Sequence, residues 1–368
     1  MKATERTPPA RSATPPVPGR RPLRLGPVST VLRPRPLLAL FGGILALLVV
    51  FSCDLALGDY PITPLGVLRT LLGGGDTGEN LVVFELRLPR ALTGLLVGAA
   101  LGLAGAITQA VVRNPLASPD LLGITAGAGA AATAVIVAGG ALGGVSGLVA
   151  ALGVPVVALF GGVGTGLLVA LLAYRNGVDS FRLVLVGIGM NTLMVNATLW
   201  LLTAGEVQDA GRAMVWLTGS LNARGWENVV PVGLALAVLV PLALVGAHVL
   251  GALQFDDDTM RELGIRVTAA RAAMLLGATV LASLATSAAG PIAFVALSVP
   301  QIALRLAATS RPPLVISMVL GATLVVGSDL IARTMFGSLE LPVGVVTAAL
   351  GAPYLIYLLV RRYREVRT

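Results

Sequence analysis

Residues 87–112 read RLPRALTGLLVGAALGLAGAITQAVV. From Ala91 to Val112 no side chain carries a charge, and a bilayer core about 30 Å thick needs about 20 such residues to be crossed. Gly94, Gly98 and Gly102 recur at every fourth position, with Gly105 close behind. On a helix they form one small-residue stripe, against which another backbone can approach closely. That neighbour is either another span of the same chain or a second subunit. Pro89 fits the first turn of a helix and brings Arg87 and Arg90 to its outer end. The stretch reads as a membrane helix designed for tight packing.

The same test applied outward finds nine more spans. The ten lie near 37–57, 90–112, 119–140, 147–173, 182–203, 229–250, 268–289, 292–308, 313–331 and 343–360. The eighth is short and contains Pro300. Residues 1–36 are rich in Pro, Arg, Ser and Thr without periodicity, the composition of a disordered tail. The apolar run Leu37–Leu57 is too long for a signal-peptide core and no small-residue cleavage site follows it, so it is read as the first span. The transmembrane domain is therefore expected over 37–362, with 363–368 as a second cytoplasmic tail.

Arginines orient this topology. With the N-terminus inside, the six outer basic residues are Arg69, Arg87, Arg90, Arg212, Arg224 and Arg333, and the remaining twenty of 26 fall inside. Both termini are then cytoplasmic. Nine spans would place the Arg-Arg-Tyr-Arg cluster at 361–364 outside, so the charges favour an even count.

Composition agrees and excludes other classes. Of 368 residues 56% are hydrophobic and 12% charged, with a mean hydropathy of +0.89. About 25% charge is usual for a soluble domain. One cysteine, Cys53, permits neither an intrachain disulfide nor a thiolate metal cluster, and one histidine, His248, leaves no multi-histidine site. The only lysine is Lys2, in the tail. The glycine run GGGDTGEN at 73–80 thus cannot be a phosphate-binding loop, which needs a lysine, and is read as a loop. If ATP is used, another chain hydrolyses it. No facing carboxylates, nucleophile–base pair or metal-ligand spacing appears, so the chain is read as no enzyme, with no cofactor bound directly.

Some segments carry candidate mechanism. QFDDDTMRELGIR at 254–266 is a charged insertion between two spans. Asp256, Asp257 and Asp258 are placed to cap a short helix, on which Met260, Arg261 and Leu263 follow. Such a cytoplasmic helix suits docking on a soluble partner, and an ordinary solvated loop is the plain alternative. Outside, Arg87, Arg90 and Arg333 are suited to receive carboxylates from an extracellular partner, or else to snorkel at the interface. Gln109, Asn114, Asn191, Asn196 and Gln301 are polar groups at or near membrane depth, either satisfied by neighbouring helices or lining a solute path.

Three ordered blocks give the chain a resemblance. They are residues 87–128, with RLPR, the glycine helix ending in Gln109 and RNPLASPDLLG; LGIRVTAAR at 263–271 followed by AAGPIAFVALSVPQIALRL at 288–306; and GSDLIARTMFGSLELPVGVVTAALGAP at 327–353. Together they resemble the FecCD-type permease subunits of ABC importers for ferric siderophores, haem and vitamin B12. The resemblance implies an all-α polytopic subunit of about ten spans, with the type II ABC importer permease fold, in the bacterial cytoplasmic membrane. It further implies a second permease subunit (identical or paralogous), two cytoplasmic ABC ATPase subunits and an extracytoplasmic binding protein as partners, and no nucleic acid. On this pattern the ATPase docks at about 254–266, the binding protein at Arg87, Arg90 and Arg333, and the inner gate falls near Ser180 and Phe181. Gln301 stands where many relatives have histidine, so it hydrogen-bonds but gains no charge near neutral pH. Likewise Ser310-Arg311-Pro312 replaces the family's Asp-His-Arg.

The expected function is movement of an iron–siderophore complex by alternating access. Alternatives are a vitamin B12 or haem importer permease of the same family, or an ion-coupled secondary transporter. The last would show a buried acidic or histidine relay, whereas the acids here lie mostly in loops.

Overall fold

The computed structural model describes residues 22–25, 28–31, 34–58, 60–141, 147–175, 180–252, 257–262, 264, 266–335 and 340–367. Each of the ten expected spans is a helix: α1 (Pro34–Ala56), α4 (Leu88–Val112), α5 (Ile124–Ala141), α6 (Gly147–Ala173), α7 (Ser180–Ala204), α9 (Trp226–Val245), α12 (Val267–Ala289), α13 (Val295–Ala307), α14 (Leu314–Thr334) and α15 (Val343–Arg367). Seven of the described helices are long and apolar enough to cross a membrane, and α5, α13 and α15 contribute the shorter apolar ones.

Local sequence explains where the helices differ from the expected bounds. α5 starts at Ile124, five residues late, because Pro119, Asp120 and Gly123 form turns, Gly123 at φ +75°. α6 is broken at Gly153, two residues before Pro155. α13 has 13 residues, about 20 Å at 1.5 Å each, and Phe294 and Ala308 bound it in the left-handed conformation. α15 continues through the region expected as a tail, to Arg367.

Between the spans lie α2 (Pro64–Leu71), α3 (Thr77–Asn80), a π-helical segment (Leu81–Arg87) running straight into α4, α8 (Val207–Leu217), α10 (Ala247–Ala252) and α11 (Asp257–Glu262). The run read as a loop at 73–80 thus ends in a helix. Asp76 accepts from the Glu79 amide at 2.6 Å while the Glu79 side chain accepts from the Asp76 amide at 3.3 Å, a capping box. Within the stretch expected as a disordered tail, Pro22–Leu25 pairs antiparallel with Val28–Val31, Pro22 opposite Val31. The rest of that expectation, residues 1–21, 26–27 and 32–33, lies outside the described residues.

α4 is the centre of the bundle. It packs most extensively on α14 and α12, and also on α13 and α9. Its glycine stripe is the reason: a Cβ on Gly98 would run into the Gly321 carbonyl, one on Gly102 into the Ser317 carbonyl, and one on Gly105 into the Ala296 carbonyl. Gly94 faces Leu221 and Val326 instead. The stripe is thus used within the chain, against α14 and α13. α5 pairs with α6, and α1 covers the outer side of α14. α1 and α7 are the least covered long spans, with large apolar side chains such as Phe41, Leu45, Leu185 and Trp200 exposed.

Candidate transport and docking sites

The three candidate docking arginines are engaged mainly within the chain. Arg87, at the end of the π-helical segment, is buried and donates through Nη1 to the carbonyls of Leu55 (2.8 Å) and Ala56 (3.1 Å), and through Nη2 to that of Tyr60 (2.6 Å). The Leu55 and Ala56 carbonyls are ones that the end of α1 leaves without helical donors. Gly58, at φ +146°, makes room, because a Cβ there would come 2.8 Å from Arg87 Nη2. Arg333 does the same for Asp54, donating to its carbonyl at 2.8 Å and to Oδ1 at 2.5 Å. Arg90 grips Asp329 with two bonds of 2.9 Å, and Asp329 Oδ2 lies 3.5 Å from Arg333 Nε. These contacts tie the ends of α1 and α14 to the start of α4. Burial beside Asp54 and Asp329 demands pairing inside the chain, so carboxylates of the chain itself hold Arg90 and Arg333.

One contact in this cluster is loose. Arg90 Nη1 reaches Glu340 Oε2 at 3.4 Å, and the Glu340 side chain is 44% exposed. An exposed pair of this length contributes about 0–1 kcal/mol and is readily exchanged. Nearby outer basic groups differ in setting: Arg69 and Arg212 are exposed, while burial lowers the Arg224 guanidinium from its usual value, opposed by Glu227.

On the inner side, Gln301 donates Nε2 to Gln109 Oε1 at 2.6 Å, and Gln109 donates its own Nε2 to the Leu297 carbonyl at 2.9 Å. The amide chain joins α4 to α13 at the wall of a cavity of about 410 Å³, also lined by Arg113, Asn114, Ser310 and Arg311. Arg311 donates to the Ala247 carbonyl at 2.8 Å, so the Ser-Arg-Pro loop anchors α10. Ser180 and Phe181 do not line this cavity. They begin α7, with Phe181 79% exposed, so the structure does not bring the three path candidates together. Gln301→Leu should strand the Gln109 oxygen. The expected cost is about 1–3 kcal/mol, read as a lower unfolding midpoint in a denaturant titration.

Midway along α7, Thr192 and Asn196 are exposed, and Asn196 donates to the Thr192 carbonyl at 2.8 Å. Asn196 was one of five scattered amides in the sequence; Thr192 carried no signal of its own. Their one-turn spacing is the pattern that joins them. Polar side chains on an uncovered face of a membrane helix point to an aqueous path or to a protein neighbour.

The cytoplasmic helix forms as α11, six residues long within the 13-residue segment from which it was expected. Asp256 and Leu263 lie outside the described residues; Asp257, Asp258 and Arg261 belong to the helix or its first turn. Met260 is a correction: it is 0% exposed and packed in the main core, so it holds α11 against the bundle instead of meeting a partner. Glu262 is exposed. Among the described residues no three His, Cys, Asp or Glu side chains group to hold a metal.

A polytopic helical bundle with polar groups on an uncovered span and a short cytoplasmic helix defines a membrane transport subunit. The model of the FecCD transport family matches residues 44–361, and the chain belongs to that family. It is 39% identical to the ferric enterobactin transport system permease protein FepG of Escherichia coli (strain K12), covering 88% of this chain and 97% of that protein. It is 36% identical to the iron(3+)-hydroxamate import system permease protein FhuG of Bacillus subtilis (strain 168), covering 89% and 98%. Its fold matches an inward-facing metal-chelate type ABC transporter with a TM-score of 0.74, at 26% identity over 89% of this chain and 99% of that one. The chain is a multi-pass permease subunit of an ABC transporter, placed in the cytoplasmic membrane.

Proposed function

We propose that the protein is one of two transmembrane subunits of an ATP-driven importer that moves an iron–siderophore complex inward. The observation that carries the cargo is the set of relatives, whose names specify ferric enterobactin, achromobactin and iron(3+)-hydroxamate transport. With its only lysine at position 2, the chain has no phosphate-binding loop, which supports hydrolysis by separate ATPase subunits. The uncovered face of α7, with Phe181 at its start and Thr192 and Asn196 midway, is read as the wall of the path shared with the second permease subunit. The Gln109–Gln301 cavity is read as part of its cytoplasmic exit.

For the ATPase, docking is assigned to α11 through its acidic first turn and exposed Glu262, with Met260 beneath as the packing residue. For the binding protein, docking is assigned to the outer arginine cluster, with Arg90 as the group that exchanges partners. An incoming carboxylate replaces Glu340 there, while Arg87 and Arg333 hold the platform together. Reversing Asp257, Asp258 and Glu262 to lysine should cut ATPase co-purification at least about tenfold, the effect of about 1.4 kcal/mol. Co-purification at the level of the unaltered chain would remove the docking assignment.

A further inference from the structure

The cavity of about 410 Å³ beside the inner ends of α4 and α13 carries charge of one sign: two arginines line it and no carboxylate does, among the described residues. Arg113 is exposed and already engaged within the chain, which leaves Arg311 as the charge offered to a solute. Arg311 is half-buried, and among the described residues its guanidinium bonds the Ala247 carbonyl alone, through Nη1 at 2.8 Å. A carbonyl accepts that bond without cancelling the charge. The group is also fixed in place. Thr309 Oγ1 donates to the Arg311 carbonyl at 2.8 Å, and Gly251 leaves space for the guanidinium, since a Cβ there would come 2.6 Å from Nη1. A cation already held in position loses little freedom when an anion arrives.

The other wall is set by the amide chain. Gln109 donates its nitrogen to the Leu297 carbonyl, so the end it turns to Gln301 is its oxygen, and Gln301 must answer with nitrogen. Gln301 Oε1 therefore points away from Gln109. It is not among the buried polar atoms left without a partner, so it opens on the cavity that Gln301 lines. The cavity thus presents a cation and a separate acceptor. A bare inorganic anion uses only the first, whereas a larger solute with an anionic edge and an N–H or O–H uses both. The volume lies within the about 300–1,000 Å³ of small-molecule sites, room for one arm of a chelate. We propose that this cavity, on the reading of it as part of the cytoplasmic exit, selects among ferric chelates by charge. Arg311 draws in the anionic edge of the chelate, Gln301 Oε1 accepts from a donor group beside it, and a chelate with a cationic pendant group is disfavoured.

One ferric trihydroxamate with a pendant amine tests this, used as the free ammonium, the acetyl amide and the succinyl amide, so that charge changes on a single iron-binding frame. Uptake of each is measured at subsaturating concentration in a deletion strain complemented with the full chain or its variants. The binding protein is the same in every strain, so its own preference cancels when ratios are compared. Arg311→Gln should lower the ratio of succinyl to ammonium uptake at least about fivefold, and Arg311→Lys should keep it. An Arg311 that only anchors α10 would lower all three chelates alike. Ser310→Asp, at an exposed position lining the cavity, sets a carboxylate beside Arg311 and should lower the same ratio; it decides if Arg311→Gln does not fold. Uptake with a ratio indifferent to both variants overturns the selection alone. Uptake of no ferric chelate by the unaltered chain overturns the importer reading, and the selection with it.

Discussion

Gly98→Leu should leave little folded permease in the membrane. The helix carrying Gly98 is the one around which the bundle is assembled, and its Cα faces the Gly321 carbonyl of α14 with no space for even one methyl group. The obstruction is backbone on both sides: a Cβ on Gly321 would likewise meet the Gly98 carbonyl. A flexible side chain can rotate aside, but two helix backbones cannot, so α4 and α14 must separate along their whole contact. Overpacking of a core costs about 1–3 kcal/mol when side chains can adjust. Here they cannot, and the expected loss is about 3 kcal/mol or more, comparable to much of a domain's total stability of about 5–15 kcal/mol. Gly98→Ala should be milder than Gly98→Leu yet still destabilising. A denaturant titration of the purified protein, or its yield in the membrane fraction, reads both. A Gly98→Leu protein with unchanged yield and midpoint would mean that the close approach is not a requirement of the fold.

Asp329→Ala should cost about 3–5 kcal/mol, the range for removing one partner of a buried ion pair. Asp329 is 1% exposed, holds Arg90 by two bonds of 2.9 Å, and lies 3.5 Å from Arg333. Removing it leaves two guanidiniums facing each other's positive charge in a largely buried site. Arg333 keeps Asp54 and Arg90 keeps only the looser Glu340. The double variant Arg90→Met with Asp329→Leu should recover most of the loss, because apolar side chains of similar size remove the uncompensated charge. Recovery in this cycle separates the pair's structural role from any role in docking. Uptake by the double variant then reports on docking, since the platform is restored but Arg90 is gone. If Asp329→Ala is as stable as the unaltered chain, the cluster is not what fixes the outer ends of α1, α4 and α14.

The spans were legible because hydropathy is a local property: twenty apolar residues announce themselves wherever they occur. Helix existence followed from it even for α13, shortened by two left-handed residues that no composition reveals. The capping box at Asp76 and Glu79 was also present in the sequence, hidden by the glycines before it. Pairing was not legible. Arg333 finds Asp54 across 279 positions and Arg90 finds Asp329 across 239, distances over which spacing carries no information. Asp54 reads as one acid at the end of a span, with nothing to mark it as a partner. Met260 illustrates the opposite failure. An apolar residue on a short charged helix faces either a partner or its own core, and only the packing of α11 against the bundle decides for the core. The amphipathic α8 was missed because Asp209 and Arg212 break its apolar run, and they pair with each other at 3.4 Å.

The central claim is that this chain carries a ferric chelate inward at the expense of ATP. It is tested most directly in a strain deleted for the chain and then complemented with it, by following energy-dependent accumulation of radio-iron-loaded siderophores beside labelled cobalamin and haem. The account predicts that complementation restores uptake of at least one ferric siderophore, and that a lysine at Thr192 or Asn196 on α7 lowers it about tenfold or more. Restored uptake of cobalamin or haem without any ferric siderophore would contradict it.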